Sequence, residues 1–228
     1  MKIDVREQGV FSVAVVHLNP GEEFVSEAGA LYRSSSNVDI DVTTKSRGQG
    51  GILSGLKRML AGNTFFFSTY RVLDSQPGEV GLAPTHLGSV HRIDVTPEQG
   101  WLCTGGSYLG SGAEVALDTE FQGLRGFVSG ESLMFVKAHG TGPLLVSAFG
   151  QISQLEVTDS LIIDTGHLVA FTEGLTYTID KVGGGWMQTF LTGEGFVMRI
   201  SGRGKVILQS HNPERLGKYL GPKLPERE

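Results

Sequence analysis

The chain contains little that would staple, anchor or electrostatically steer it. A single cysteine, Cys103, among 228 residues excludes an internal disulfide, so a packed core has to hold the fold. Flanked by Leu102 and Thr104, that cysteine reads as an inert core thiol. No apolar run approaches the ~20 residues of a membrane-crossing helix. Basic charge is scarce: the formal net charge is −5, so non-specific DNA binding is not expected, and RNA binding is not expected either. Residues 1–7 have neither the apolar core of a secretory signal nor the acid-free character of a transit peptide, and a cytoplasmic protein is expected.

Chemical motifs are equally sparse. None of the six histidines, His17, His86, His91, His139, His167 and His211, pairs at His-x-His spacing. Two imidazoles therefore do not converge from one strand, as a cupin-like metal site needs. The nearest string to a hydrolase Gly-x-Ser-x-Gly elbow, Gly110-Ser111-Gly112, has the wrong spacing. Gly183-Gly184-Gly185 and Gly202-Arg203-Gly204 lack the Gly-x4-Gly-Lys-Ser/Thr layout of a phosphate cradle and read as hairpin turns. Glu22 and Glu23 are neighbours, and neighbours on a strand face opposite ways. No catalytic residue, metal ligand or cofactor-binding residue is assigned, and no cofactor is expected. Trp101 and Trp186 are expected to be core rings.

What the chain does have is glycine, 33 residues, about twice ordinary usage. Many glycines mean many tight turns, which suits short strands. Hydrophobic residues at 39% and charged residues at 19% fit a globular protein. The chain also repeats. Gly88-Ser89-Val90-His91-Arg92-Ile93-Asp94-Val95-Thr96 matches Gly150-Gln151-Ile152-Ser153-Gln154-Leu155-Glu156-Val157-Thr158, with the alternation of a half-buried strand. Val13, Val16, Leu18, Pro20 and Gly29 lie 77 positions before Val90, Ile93, Val95, Pro97 and Gly106. A second landmark lines up Gly62-Asn63-Thr64-Phe65-Phe66-Phe67, Gly130-Glu131-Ser132-Leu133-Met134-Phe135 and Gly193-Glu194-Gly195-Phe196-Val197-Met198. Each is followed by a Gly- or Pro-rich turn and another apolar run, the pattern of a hairpin. Three copies of one antiparallel β-unit follow: residues 1–87, 88–149 and 150–211, then a C-terminal tail, 212–228, all in one compact domain.

The first copy is longer between its landmarks, 33 residues from Gly29 to Gly62 against 24 and 27 in the others. In the excess, Ile52, Leu53, Leu56, Met59 and Leu60 fall on one helical face, beside Lys57 and Arg58. The spacing predicts a short helix near 52–60. It either caps an open end of the β-structure or offers Ile52, Leu53, Leu56, Lys57, Arg58 and Leu60 to a partner or a membrane surface.

Taken together, these landmarks resemble the AIM twenty-four (altered inheritance of mitochondria) family. The residues that carry the resemblance are Pro20-Gly21-Glu22 through Glu27-Ala28-Gly29-Ala30; Gly50-Gly51-Ile52 through Leu60-Ala61-Gly62; Gly105-Gly106-Ser107-Tyr108-Leu109; Asp164-Thr165-Gly166-His167-Leu168-Val169-Ala170-Phe171; Gly193-Glu194-Gly195-Phe196; and Gly202-Arg203-Gly204-Lys205-Val206 through Gln209-Ser210. Asn63 and Arg203 depart from the family pattern, both in turns. The resemblance implies an all-β fold like that of the tryptophan RNA-binding attenuator protein (TRAP-like), a short double-stranded β-helix or sandwich with one short helix inserted. It also implies ring-shaped homotrimers among bacterial members and, among eukaryotic ones, a mitochondrial role in inner-membrane organisation. It carries over no catalytic residue. The expected function is a non-catalytic scaffold or interaction protein. A small-ligand or lipid-binding module is the alternative, and a metal-dependent enzyme comes third.

Overall fold

The computed structural model describes residues 1–8, 11–43, 67–121, 134–181 and 196–225. Nineteen strands and one α-helix lie within them. The first strand, β1 (Lys2–Gln8), stands apart from the repeats. Then the same six-strand order occurs three times. The first unit is β2 (Phe11–Leu18), β3 (Glu23–Glu27), β4 (Leu31–Ser34), β5 (Val38–Thr43), β6 (Phe67–Val72) and β7 (Gly78–Leu82). The second is β8 (Val90–Val95), β9 (Trp101–Thr104), β10 (Tyr108–Gly112), β11 (Val115–Phe121), β12 (Met134–Gly140) and β13 (Gly142–Ser147). The third is β14 (Ile152–Val157), β15 (Ser160–Asp164), β16 (Leu168–Thr172), β17 (Thr176–Lys181), β18 (Phe196–Ser201) and β19 (Gly204–Gln209). Helix α1 (Pro213–Leu220) follows, capped by the Asn212 side chain.

Each unit divides between two sheets. Its first, sixth and third strands form one half-sheet, and its second, fifth and fourth strands form the other. Half-sheets of successive units then join edge to edge. Sheet 2 runs β5-β6-β3-β10-β13-β8 and sheet 3 runs β11-β12-β9-β16-β19-β14. The joint in sheet 2 is β3 with β10, antiparallel, Ser26 opposite Gly110 and Val25 opposite Ser111. The joint in sheet 3 is β9 with β16, Cys103 opposite Ala170 and Leu102 opposite Phe171. Close approach explains Gly110: a Cβ there would lie 2.5 Å from a Phe24 ring carbon and 2.8 Å from the Val25 carbonyl oxygen. Two half-sheets remain at the ends: sheet 1, β1-β2-β7-β4, and sheet 4, β15-β18-β17.

Three apolar cores lie between these four sheets. Val16, Phe24, Tyr70, Leu82, Leu109 and Leu145 fill the space between sheets 1 and 2. Trp101, Cys103, Tyr108, Leu144, Val146, Val169 and Ile207 fill that between sheets 2 and 3. Leu102, Phe135, Ile163, Phe171, Met198 and Val206 fill that between sheets 3 and 4. The inner sheets are therefore buried on both faces. That is why β10 and β16 are apolar and small-residue runs with no polar-out alternation.

The fold is all-β, as expected, but two local readings change. The turns Gly140-Thr141-Gly142 and Gly202-Arg203-Gly204 are not hairpins: β12 and β13 lie in sheets 3 and 2, and β18 and β19 in sheets 4 and 3. Glycines at φ +106°, +142° and +120° (Gly140, Gly142 and Gly202) turn the chain from one layer into the next. Met198 aligns by pairing with Val136 rather than with Phe135. Val136 pairs with Cys103 and Met198 with Ile163, and both pairs face the core of their own unit. A one-residue slip would have put Met198 on the wrong face. The predicted helix near 52–60, with Ile52, Leu53, Leu56, Lys57, Arg58 and Leu60, lies outside the described residues, as does Trp186.

Candidate interaction surface

Among the described residues, β4 pairs only with β7 and β15 only with β18. Their counterparts in the inner sheets are each paired on both sides. Burial follows pairing. All residues of β10 and β16 are buried, whereas β4 alternates half-buried and exposed. Leu102 in β9 is 8% exposed, but Ile162, in the equivalent slot of β15, is 56% exposed. Leu109 and Val169 are 1% and 0% exposed, but Tyr32, in the same slot of β4, is 48% exposed. Leu155 in β14 is 40% exposed, against 5% for Ile93 and 0% for Val16 in the equivalent slots. In these three slots the exposed apolar residue stands where the array of units stops; Val42, Leu73 and Leu87 are exposed elsewhere.

The outer face of sheet 1 carries a charge network. His17 Nε2 meets Asp4 Oδ2 at 3.0 Å and His17 Nδ1 meets Glu79 Oε1 at 3.2 Å. Arg33 Nη1 donates to Glu79 Oε2 at 2.9 Å, and the Arg33 guanidinium lies 5.9 Å from the centre of the Tyr32 ring. The Arg33 hydrogen bond holds the Glu79 carboxyl below its ordinary range, and the Lys2 hydrogen bond, ahead of that from His17, does the same for Asp4. Gly81 sits beneath, where a Cβ would strike the Tyr32 ring. The Met1 amino group pairs with Glu22 at the neighbouring turn.

Reactive groups elsewhere have structural settings. Cys103 is fully buried and its thiol is pushed up to about 12 by desolvation. Tyr108 is buried with its hydroxyl 3.0 Å from Ser111 Oγ, and burial raises it strongly. Ser26 Oγ and the Tyr70 hydroxyl satisfy each other at 2.9 Å. Glu27 is raised by burial, and His86 and His91 are lowered by it. Trp101 is a core ring, 3% exposed. Among the described residues no three His, Cys, Asp or Glu side chains come together as metal ligands. Among them, too, no helix is long and apolar enough to cross a membrane.

The arrangement is therefore that of an all-β array with two unfinished edges. A family model described as "Mitochondrial biogenesis AIM24" matches residues 3–211, every repeat included. The chain belongs to this family. Two relatives support the AIM24 assignment. One is an uncharacterised protein of Streptococcus pyogenes serotype M6, 26% identical over 231 residues, covering 99% of this chain and 92% of that protein. The other is a Streptococcus pyogenes protein with a solved crystal structure, 25% identical, with a TM-score of 0.81 over 98% of this chain and 99% of that one. The AIM24 fold is thus shared over nearly the whole length. Sequence reading did not single out Tyr32, Leu155 or Ile162. The signal was available in the aligned copies: a tyrosine aligned with Leu109 and Val169 marks a slot with a different environment.

Proposed function

We propose that this AIM24 chain is a non-catalytic scaffold that works as a homotrimeric, TRAP-like ring in the cytoplasm. One observation carries the reading: sheets 2 and 3 are completed by two units each, while sheets 1 and 4 are half-sheets at the two ends of the stack. Open strand edges and exposed apolar side chains are costly to leave in water, and association covers both. Ends that differ from each other join head to tail, and such joints close into a ring or grow into filaments. The buried Cys103, with its raised thiol, and the hydroxyls committed to Tyr70–Ser26 and Tyr108–Ser111 pairs support structural rather than chemical roles. Sedimentation velocity at micromolar concentration tests it. The expected mass is three times the chain's 24.5 kDa, and a lone monomer overturns the reading.

A further inference from the structure

We infer that the subunit joint is a strand pair of defined register: β15 of one copy lies antiparallel to β4 of the next, joining sheet 4 of the first to sheet 1 of the second. The inference rests on the oligomeric reading above and specifies its contact. Its warrant is the joint the chain makes twice within itself. In both cases the second strand of one unit pairs antiparallel with the third strand of the following unit. The third unit's second strand is β15, and the first unit's third strand is β4; among the described residues neither has a partner on its outer edge. They lie in the two end layers of the stack, with sheets 2 and 3 between them, so the partner of each is a second copy.

The register follows from the equivalences. The bulges in β4, β10 and β16 fall between Leu31 and Arg33, Tyr108 and Gly110, and Leu168 and Ala170, which makes Arg33, Gly110 and Ala170 equivalent. Ser26, Cys103 and Ile163 each lie five residues before the first residue of the bulge that follows, Leu31, Tyr108 and Leu168, which makes them equivalent in turn. Ser26 faces Gly110 and Cys103 faces Ala170. Arg33 therefore faces Ile163 of the previous copy. Ser34 faces Ile162, as Ser111 faces Val25 and Phe171 faces Leu102.

The side chains fit this joint. At each internal joint the residue beside the pair reaches the core of the following unit: Val25 packs on the second core and Leu102 lies in the third. Ile162 is the third member of that series, and it carries an apolar side chain into water at 56% exposure. In the reverse direction Leu109 and Val169 reach back into the preceding unit's core, and Tyr32 is their counterpart. Joined, Ile162 covers the first core of the next copy and Tyr32 covers the third core of the previous one, where Leu155 also lies open. Arg33 reaches the joint already paired with Glu79.

The test uses the full chain with Ser34→Cys and Ile162→Cys, first separately and then together, under mild oxidation. Ser34 is exposed and Ile162 half-exposed, so both substitutions leave the core intact, which circular dichroism checks. Native Cys103 is buried and does not compete. The expected result is that neither single variant cross-links with itself, a mixture of the two gives a covalent dimer, and the double variant gives a ladder of covalent oligomers. Self-cross-linking of a single variant means a symmetric contact and overturns the inference. A double variant whose thiols are consumed within one chain overturns it as well. Trimers by sedimentation without any cross-link leave the scaffold reading standing and remove this joint; monomers remove both. As an independent arm, Ile162→Arg is expected to weaken assembly at least tenfold with the secondary structure unchanged, and wild-type assembly of that variant counts against the joint.

Discussion

Replacing one slot by alanine in each unit separates completed joints from the open one. Leu109 is 1% exposed and Val169 is 0% exposed, each pressed into the core of the preceding unit. Leu109→Ala removes three carbons and leaves a cavity, a loss of about 3 kcal/mol. Val169→Ala removes two, about 2 kcal/mol at ~0.8 kcal/mol per buried carbon plus a smaller cavity. For a chain of this size a loss of 1 kcal/mol lowers Tm by about 2–4 °C, so the two variants melt about 6–12 °C and about 4–8 °C early. Tyr32, at 48% exposure, lies on Gly81 and beside Arg33. In the isolated chain, Tyr32→Ala costs under about 1 kcal/mol, the range of a partly exposed ring. Its effect belongs to assembly, so the loss grows with protein concentration as subunits associate. Thermal melts across nanomolar to micromolar protein read this directly. A Tyr32→Ala loss equal to that of Leu109→Ala and independent of concentration refutes the reasoning, because the slot is then filled within the chain.

The remaining expectations concern titration, the thiol and the tail. Glu79 is held below its ordinary range by Arg33, so its contribution is present above the unfolded value of 4.5 and is lost as pH falls through the lower folded value. Glu79→Gln is therefore less stable than wild type near neutral pH and equal to it in strong acid; a gap that persists in acid contradicts the assignment. Glu27 has the opposite sign: burial raises it, so its charged form is penalised in the fold and acidification through the raised value relieves the penalty. Glu27→Gln is expected to raise Tm at neutral pH, an advantage that vanishes below the unfolded value of 4.5, and a lower Tm at neutral pH sinks it. Cys103 is expected to resist a thiol reagent in the native protein and to react at once in concentrated guanidinium chloride; stoichiometric native labelling within minutes contradicts its burial. Helix α1 buries none of its residues. Deleting residues 213–225 is expected to shift Tm by no more than about 3 °C, or about 1 kcal/mol, and a larger drop shows that the helix packs on the core.

Much of this fold is legible locally. The repeat appears in fixed offsets such as Val13 to Val90 and Val16 to Ile93, and these residues occupy the same strand positions in the structure. Cys103 and Trp101 are where their apolar neighbours put them. The failures share one cause: sheet membership is non-local. A Gly-x-Gly turn between apolar runs looks the same whether the chain folds back in one sheet or crosses to the next layer, so Gly140-Thr141-Gly142 misleads. The alignment of Met198 with Phe135 missed by one residue because a glycine spacing carries no information on side-chain parity, whereas the pairing of Ile163 with Met198 does. The unfinished edges are hidden for the same reason. Nothing in Leu31-Tyr32-Arg33-Ser34 says that its outer edge lacks a strand among the described residues, and only comparison with β10 and β16 exposes it.

Backbone amide exchange along residues 31–34 and 160–164, followed as a function of protein concentration, tests the central claim most directly. Protection of those two short segments should rise together as the protein is concentrated, while β10 and β16 stay protected throughout. Exchange at both edges that stays the same from the lowest to the highest concentration would contradict the idea that one copy supplies the strand that another lacks.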